Sequence, residues 1–288
     1  MEPRLMEGIG IQSRERMAMG VRRVIAEMMD RVMEAVLVED PFIAADHHAE
    51  KTLYAALVPD EIFKGSHFER RFVTRFGGVW EELAKVVASE IHGHCSMGHV
   101  VTGFIGSERL RRIQEVLDKL EHTHAGRKPI DPAWKEELAY IRQGKGAPHQ
   151  VSVLCDIYIE SESTGEKYAF ELKAPLPNSD QSKVSKEKMF KLLAMDPCVV
   201  DHVFFALPYN PFGKREDYDW SFPSRWFNMQ QDPVVLIGNE FWDFIGGAGT
   251  YASFVREINA LGLDYKKRIY REYLGMEPPS GYNEQVLK

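Results

Sequence analysis

Two β-rich runs joined by a short polar turn constrain the fold of this chain more than any other segment. Val151 to Ile159 and Lys167 to Lys173 are rich in β-branched and aromatic residues. Ser161 to Gly165 between them has the small, polar composition of a turn. The pattern predicts a β-hairpin.

Most of the remaining chain has helical periodicity, with apolar residues three and four positions apart. We expect helices at 13–38, 46–58, 66–91 with a break at Gly77-Gly78, 107–121, 132–143, 180–195 and 250–274, and further strands at 199–207 and 234–237. This order predicts an α/β (α+β) fold in which helices flank a central mixed sheet. No clean linker is visible, so we expect one domain over 1–288. It would have a helical N-terminal part at about 1–148, a sheet core at about 149–250 and a C-terminal helix at about 250–275.

The composition indicates a globular protein without a membrane partner. Lys and Arg number 36 and Asp and Glu 43, so the formal charge is −7. An acidic total argues against non-specific coating of nucleic acid, but it leaves room for a local basic cleft. Three cysteines do not suggest a disulfide framework. No signal peptide or run of about 18 apolar residues is visible, so we expect a cytoplasmic protein.

The second strand of the hairpin has one apolar face and one charged face. Residues two apart in a strand point the same way. Tyr168, Phe170 and Leu172 therefore share one face, and Ala169, Glu171 and Lys173 share the other. The charged face presents a carboxylate beside an ammonium group.

Asp156 lies in the middle of the other, apolar strand, where an acid is costly without compensation. Hairpin geometry places it across from Phe170 or Glu171, and a local bulge would let Asp156 and Glu171 converge. Two close carboxylates repel unless a cation lies between them, and Mg²⁺ prefers oxygen ligands of this kind. Such a site, with Lys173 beside the attacking water, suits in-line hydrolysis of a phosphodiester.

Asp156 followed by Glu171-Leu172-Lys173 on a hairpin resembles the PD-(D/E)xK nuclease motif, with Cys155 where that superfamily often has proline. The stretches 171–181, 206–211 and 240–247 resemble type II restriction endonucleases that cut GGNCC-type sites, over about residues 65–255. The resemblance implies a restriction-endonuclease-like core and cleavage of double-stranded DNA. It also implies a homodimer on a palindromic site, 5′-phosphate and 3′-hydroxyl ends, and no nucleotide cofactor. Mg²⁺ would be held by Asp156, Glu171 and the Leu172 carbonyl.

In many such enzymes an earlier helix adds another acid to the metal site. Glu82 is our first candidate, and Glu81 and Glu69 compete with it. A solvated helix face explains any one of them at least as well.

Basic and amide side chains after the hairpin are candidates for DNA contact. Asn178 and Gln181 could reach base edges, and lysines of the following helix could contact phosphates. An ordinary exposed helix remains the alternative. A second group lies among Tyr209, Tyr218, Trp220 and Trp226, aromatic residues that suit either DNA contact or packing. The candidate cations are Lys183, Lys186, Lys188, Lys214, Arg215 and Arg225.

Other interpretations stay open from the sequence. His92 to His99 reads as a Gly-rich loop rather than a zinc site, because structural zinc sites join two separated ligand pairs. Cys155 and Cys198 lie in apolar runs, so we expect both to be buried and inert. A repair or junction-resolving nuclease would carry the same acids. A non-catalytic DNA-binding or scaffold protein would use them only as an ion pair.

Overall fold

The computed structural model describes residues 10–122 and 130–279, which form two compact units. One unit, Ala84–Tyr251, contains the β-sheet. The other is helical and combines Ile11–Leu83 with residues 252–279 among the described residues. A single nuclease domain over 1–288 stays a prediction.

The sheet has five strands in the order β1-β2-β3-β4-β5. The first three are antiparallel, and β3, β4 and β5 are parallel to one another. The predicted mixed sheet flanked by helices is therefore confirmed. The strands are β1 Gly93–Gly106, β2 Pro148–Ser161, β3 Lys167–Leu172, β4 His202–Leu207 and β5 Val235–Ile237.

Helices occupy most of the positions that periodicity predicted. The segment 46–58 forms two short helices rather than one, and the helix at 239–246 was not predicted. Within residues 10–122 and 130–279, no helix has the length and apolar character needed to cross a membrane. The helices are α1 Ile11–Glu34, α2 Ala44–Glu50, α3 Thr52–Ala55, α4 Asp60–Phe76, α5 Val79–His92, α6 Ser107–Glu121, α7 Trp134–Arg142, α8 Ser179–Ala194, α9 Ser221–Ser224, α10 Asn239–Gly246 and α11 Thr250–Arg268. The π-helical turns Ala35–Glu39 and Ile269–Leu274 extend α1 and α11, and Arg215–Asp217 is a 3₁₀ turn.

Strand β1 corrects the expectation of a Gly-rich loop at 92–99. The long strand β2 pairs with it from Gly93 opposite Ser161 to Gly106 opposite Pro148. Gly93 and Gly98 have φ values of 81° and 60°, which glycine adopts without steric cost. The glycines therefore distort the strand locally without ending it, and the sheet begins well before residue 149.

The two faces of the sheet are covered by different elements. On one face α6, α7 and α8 enclose an apolar core that includes Ile113, Phe190 and Phe205. On the other, Phe170 and Phe204 stack and contact the aromatic side chains of α10. Burial of each such side chain contributes about 1.5–3 kcal/mol, so both layers hold the strands of the hairpin in place.

A buried ion pair lies within the core beside α8. Lys186 is 0% exposed, and its Nζ lies 2.6 Å from Glu137 Oε2 and donates to the Trp226 carbonyl at 2.5 Å. Burial lowers the pKa of Lys186, although Glu137 opposes that shift. Removing one partner would leave the other charge buried without compensation.

We predict that Lys186→Met destabilises the protein by about 3–5 kcal/mol, because Glu137 then lacks its counter-charge. The double variant Lys186→Met/Glu137→Leu should recover most of that loss. Chemical denaturation measures the free energy of unfolding. The control Lys191→Met removes a partly exposed lysine of the same helix and should change stability by at most about 0.5 kcal/mol. Equal losses in the single and double variants would contradict the ion pair.

Candidate active site

The hairpin register brings Asp156 and Glu171 together. Strands β2 and β3 pair Tyr158 with Ala169 and Ile157 with Phe170. Asp156 and Glu171 are the next residues along the two strands, where the pairing of β2 with β3 has ended. A local bulge at Asp156 therefore stays a prediction. The two carboxylates come together on the sheet face that α8 covers, where both lie within 4.0 Å of Lys173 and Lys188.

Backbone contacts fix the end of β3 where the charged residues lie. The Leu172 N–H donates to Asp156 Oδ2 at 2.9 Å, so the Asp156 side chain continues the pairing between the strands. The Lys173 N–H donates to the Ala206 carbonyl of β4 at 3.0 Å. Because the peptide groups are held from both sides, the side chains project from a rigid frame.

Three oxygen atoms converge on the Lys173 ammonium group. Its Nζ lies 2.5 Å from Asp156 Oδ2, 3.3 Å from Glu171 Oε2 and 3.2 Å from the Leu172 carbonyl oxygen. Two carboxylates and a carbonyl are hard oxygen donors of the kind that Mg²⁺ prefers. The donor set therefore fits a magnesium ion at this position.

Burial keeps water away from the charged groups of the site, so each of them needs a nearby opposite charge. Glu171 is only 2% exposed, and burial together with the nearby Asp156 charge raises its pKa. Burial by itself would lower the pKa of Lys173, but attraction to Glu171 and Asp156 outweighs it and raises the pKa above the ordinary lysine value. Lys173 is therefore held in its charged form beside the carboxylates.

A second lysine, Lys188 of α8, belongs to the same cluster. Its Nζ donates to Glu171 Oε1 at 2.9 Å and Oε2 at 3.0 Å, and it lies 4.0 Å from Asp156 Oδ1. Lys188 was expected to contact a DNA phosphate, and its place in this cluster was not predicted. No local pattern marks it, because Lys188 and Glu171 are 17 residues apart and meet through the packing of α8 on the sheet.

Comparison with known proteins gives a family for this arrangement. The family model of the type II restriction endonuclease HinfI matches residues 17–262, which is most of the chain. The chain belongs to the HinfI family of type II restriction endonucleases. Its curated relatives include three type II restriction enzymes of Herpetosiphon aurantiacus. HgiCII is 26% identical over 78% of this chain and 82% of its own length, HgiEI 25% identical over 78% and 81%, and HgiBI 24% identical over 78% and 81%. Members of this class are site-specific endonucleases that bind double-stranded DNA.

The predicted DNA contact by Lys186 was wrong. Its side chain is fully buried and its ammonium group pairs with Glu137, so it cannot reach a phosphate. Arg215 is similarly engaged within the protein, where it donates to the Met229 and Asp232 carbonyls and to Glu240. Both side chains of this HinfI-family chain bind partners within the sheet unit that are distant in sequence.

The other predicted DNA contacts have mixed surroundings. Asn178 Oδ1 accepts from the Gln181 N–H and Gln181 Oε1 accepts from the Asn178 N–H, which forms a capping box at the start of α8. Lys183 pairs with Glu121, and Arg225 donates to the Glu121 carbonyl at 2.7 Å. Lys214 is exposed. DNA contact by these five residues stays a prediction.

Three aromatic residues of 218–226 pack within the protein, whereas Phe222 is 46% exposed. The Tyr218 hydroxyl donates to the Pro175 carbonyl, Trp220 Nε1 donates to the Pro177 carbonyl, and Trp226 Nε1 donates to Ser179 Oγ. The packing interpretation therefore holds for Tyr218, Trp220 and Trp226. These bonds fix the segment that runs from the end of β3 into α8.

A third acid for the site remains a prediction. Glu82 lies on α5 within the helical unit, where it lines a small cavity with Arg31 and Arg75, and Glu69 is exposed on α4. Throughout the described ranges, no three His, Cys, Asp or Glu side chains form a group that could hold a metal ion. Neither Glu81 nor the His92–His99 segment takes part in such a group in the described part of the chain.

The cysteines report on the neighbourhood of Asp156. Cys155 is 0% exposed and Cys95 is buried, whereas Cys198 is exposed, so the expectation that Cys198 is buried was wrong. Cys198 follows Pro197 in the loop before β4 and is not part of a strand. Burial raises the pKa of both Cys95 and Cys155 to about 12.

We predict that one of the three thiols reacts rapidly with Ellman's reagent at pH 8 in the folded protein. With a pKa of about 12, a buried thiol has only about one thiolate in ten thousand at that pH, and the fraction rises tenfold per pH unit. Cys198→Ser should abolish the rapid phase. Unfolding that variant in denaturant should make the two remaining thiols, Cys95 and Cys155, react. Rapid reaction of Cys155 in the folded state would contradict the packing around Asp156.

Proposed function

We propose that this chain is a Mg²⁺-dependent endonuclease that hydrolyses both strands of double-stranded DNA at a short palindromic site. The observation that carries the proposal is the convergence of Asp156 Oδ2, Glu171 Oε2 and the Leu172 carbonyl oxygen around one cationic position. Membership of the HinfI family supports the reaction class.

Asp156 and Glu171 would hold the ion through carboxylate oxygens, with the Leu172 carbonyl as a further ligand. When bound, Mg²⁺ supplies a Lewis acid that stabilises negative charge on a phosphate oxygen. The two carboxylates face each other from neighbouring strands, so the protein provides the ligands with little rearrangement.

Lys173 would act on the attacking water and on the phosphate. Its ammonium group can donate a hydrogen bond that orients the water, and its charge offsets the negative charge that develops on phosphorus. The water oxygen bonds to phosphorus and loses a proton, the bond from phosphorus to the 3′ oxygen breaks, and the leaving 3′ oxygen takes up a proton from solvent. The products carry a 5′-phosphate and a 3′-hydroxyl.

The target and assembly follow from symmetry and resemblance. A palindromic site presents the same half-site twice, which suits a homodimer with one active site per strand. The GGNCC-like sequence rests on the stretches around Glu171–Gln181, Ala206–Pro211 and Glu240–Gly247 that resemble enzymes of that specificity.

We predict that Lys173→Ala folds and binds DNA but loses cleavage by about 10²–10³-fold, because the charged donor is absent at the reacting phosphate. Single-turnover cleavage with excess protein measures the rate, and gel shift in Ca²⁺ measures binding. The control Lys167→Ala removes a lysine at the other end of β3 and should leave the rate near that of the native chain. Native cleavage by Lys173→Ala would remove this residue from the mechanism.

We predict that plasmid DNA incubated with the protein and Mg²⁺ yields discrete fragments, that EDTA stops the reaction, and that excess Mg²⁺ restores it. Sequencing of the fragment ends identifies the site and the cleavage position. Nicking that follows DNA structure instead of sequence would favour a repair-type nuclease. Cleavage that persists in EDTA would contradict the proposed metal dependence.

A further inference from the structure

We propose that Lys188 is a positioning residue of the active site, which anchors Oε1 of Glu171 so that Oε2 faces Asp156 and Lys173. The inference rests on the proposed function and extends it to a residue outside the hairpin. Lys188 would then bind the Glu171 carboxylate and not a DNA phosphate.

The two lysines contact the Glu171 carboxylate differently, because Lys188 reaches both oxygens and Lys173 reaches only Oε2. Lys188 Nζ contacts Oε1 at 2.9 Å and Oε2 at 3.0 Å, whereas Lys173 Nζ contacts Oε2 alone at 3.3 Å. Among the described residues, Lys188 is the one hydrogen-bond donor to Oε1. A carboxylate held at one oxygen only could rotate about its last torsion, which is a broad and soft one.

Helix α8 holds the backbone of Lys188 in a fixed position. The helix starts at the capping box of Asn178 and Gln181 and is tied to Trp226 through Ser179. Next to Lys188 the side chain of Met189 is buried in the core, and Leu192 follows one turn later. The ammonium group is therefore placed by packed backbone and not by a mobile surface chain.

The other lysines of α8 have separate carboxylate partners, which argues against a common phosphate-binding face. Lys188 is the one of these four lysines that pairs with acids of the site, Glu171 and Asp156, and the other three pair with acids outside it. The pairs are Lys183 with Glu121, Lys186 with Glu137, Lys188 with Glu171, and Lys191 with Glu187.

Charge balance also favours the carboxylate as the partner of Lys188. The cluster contains two carboxylates and two ammonium groups, and Glu171 is 2% exposed. If Lys188 turned to a phosphate, Oε1 of this buried carboxylate would lose its donor, which is costly away from water. Residues that orient metal ligands from outside typically contribute 10–100-fold to metal affinity or activity.

The first test separates positioning from phosphate contact. We expect Lys188→Met to lower the single-turnover cleavage rate about 10–100-fold, while the dissociation constant for DNA in Ca²⁺ and its salt dependence stay unchanged. Lys188→Arg, which can also form two hydrogen bonds to a carboxylate, should recover the rate to within about tenfold of the native chain. The control Lys191→Met should cleave at the native rate. An unchanged rate in Lys188→Met, or weaker DNA binding with a salt slope reduced by about one, would overturn the proposal.

The second test needs no catalytic activity. We expect Lys188→Met to lower the melting temperature of the metal-free protein by several degrees, and to lower it much less in the Glu171→Gln background. Additive shifts would show that Lys188 does not act on Glu171 and would overturn the inference. If the native chain fails to cleave DNA in Mg²⁺, the proposed function fails. The melting temperatures of Lys188→Met in the native and Glu171→Gln backgrounds still decide whether Lys188 holds Glu171.

Discussion

The structure around the active site depends on compensating a carboxylate that lies where water barely reaches. Glu171 is almost wholly buried beside a second acid, and both burial and repulsion oppose its charge. Lys173 and Lys188 approach it from two elements, one from the same strand and one from the covering helix. The fold therefore supplies the counter-charges that allow two carboxylates to face one cationic position.

This requirement explains the connection between β3 and β4. Parallel strands need a crossover, and here the crossover is α8, which packs on the sheet face that carries the acids. Aromatic side chains from 218–226 hold the start of that crossover by hydrogen bonds to its backbone and to Ser179. The same helix that completes the core thus completes the charge balance of the site.

The sequence predicted the hairpin and its acids because both follow from local patterns. Alternation along Tyr168–Lys173 is a period-two signal, and an acid in an apolar strand is conspicuous. Strand β1 was missed because glycines and histidines at its start resemble a loop, and only the long partner β2 shows otherwise. The partners of Lys186 and Lys188 could not be predicted, since Glu137 and Glu171 reach them through tertiary packing. A lysine-rich helix has the same sequence pattern whether its charges face DNA or buried carboxylates.

The most direct test of the account is a crystal structure of the protein grown with Mn²⁺, in which anomalous scattering locates the ion without reference to activity. We expect a peak about 2 Å from carboxylate oxygens of Asp156 and Glu171 and from the Leu172 carbonyl, with the Lys173 ammonium group displaced from the shared position. It also predicts that Lys188 keeps its contact with Oε1. An ion bound elsewhere, or Asp156 and Glu171 too far apart to share one, would contradict the central claim.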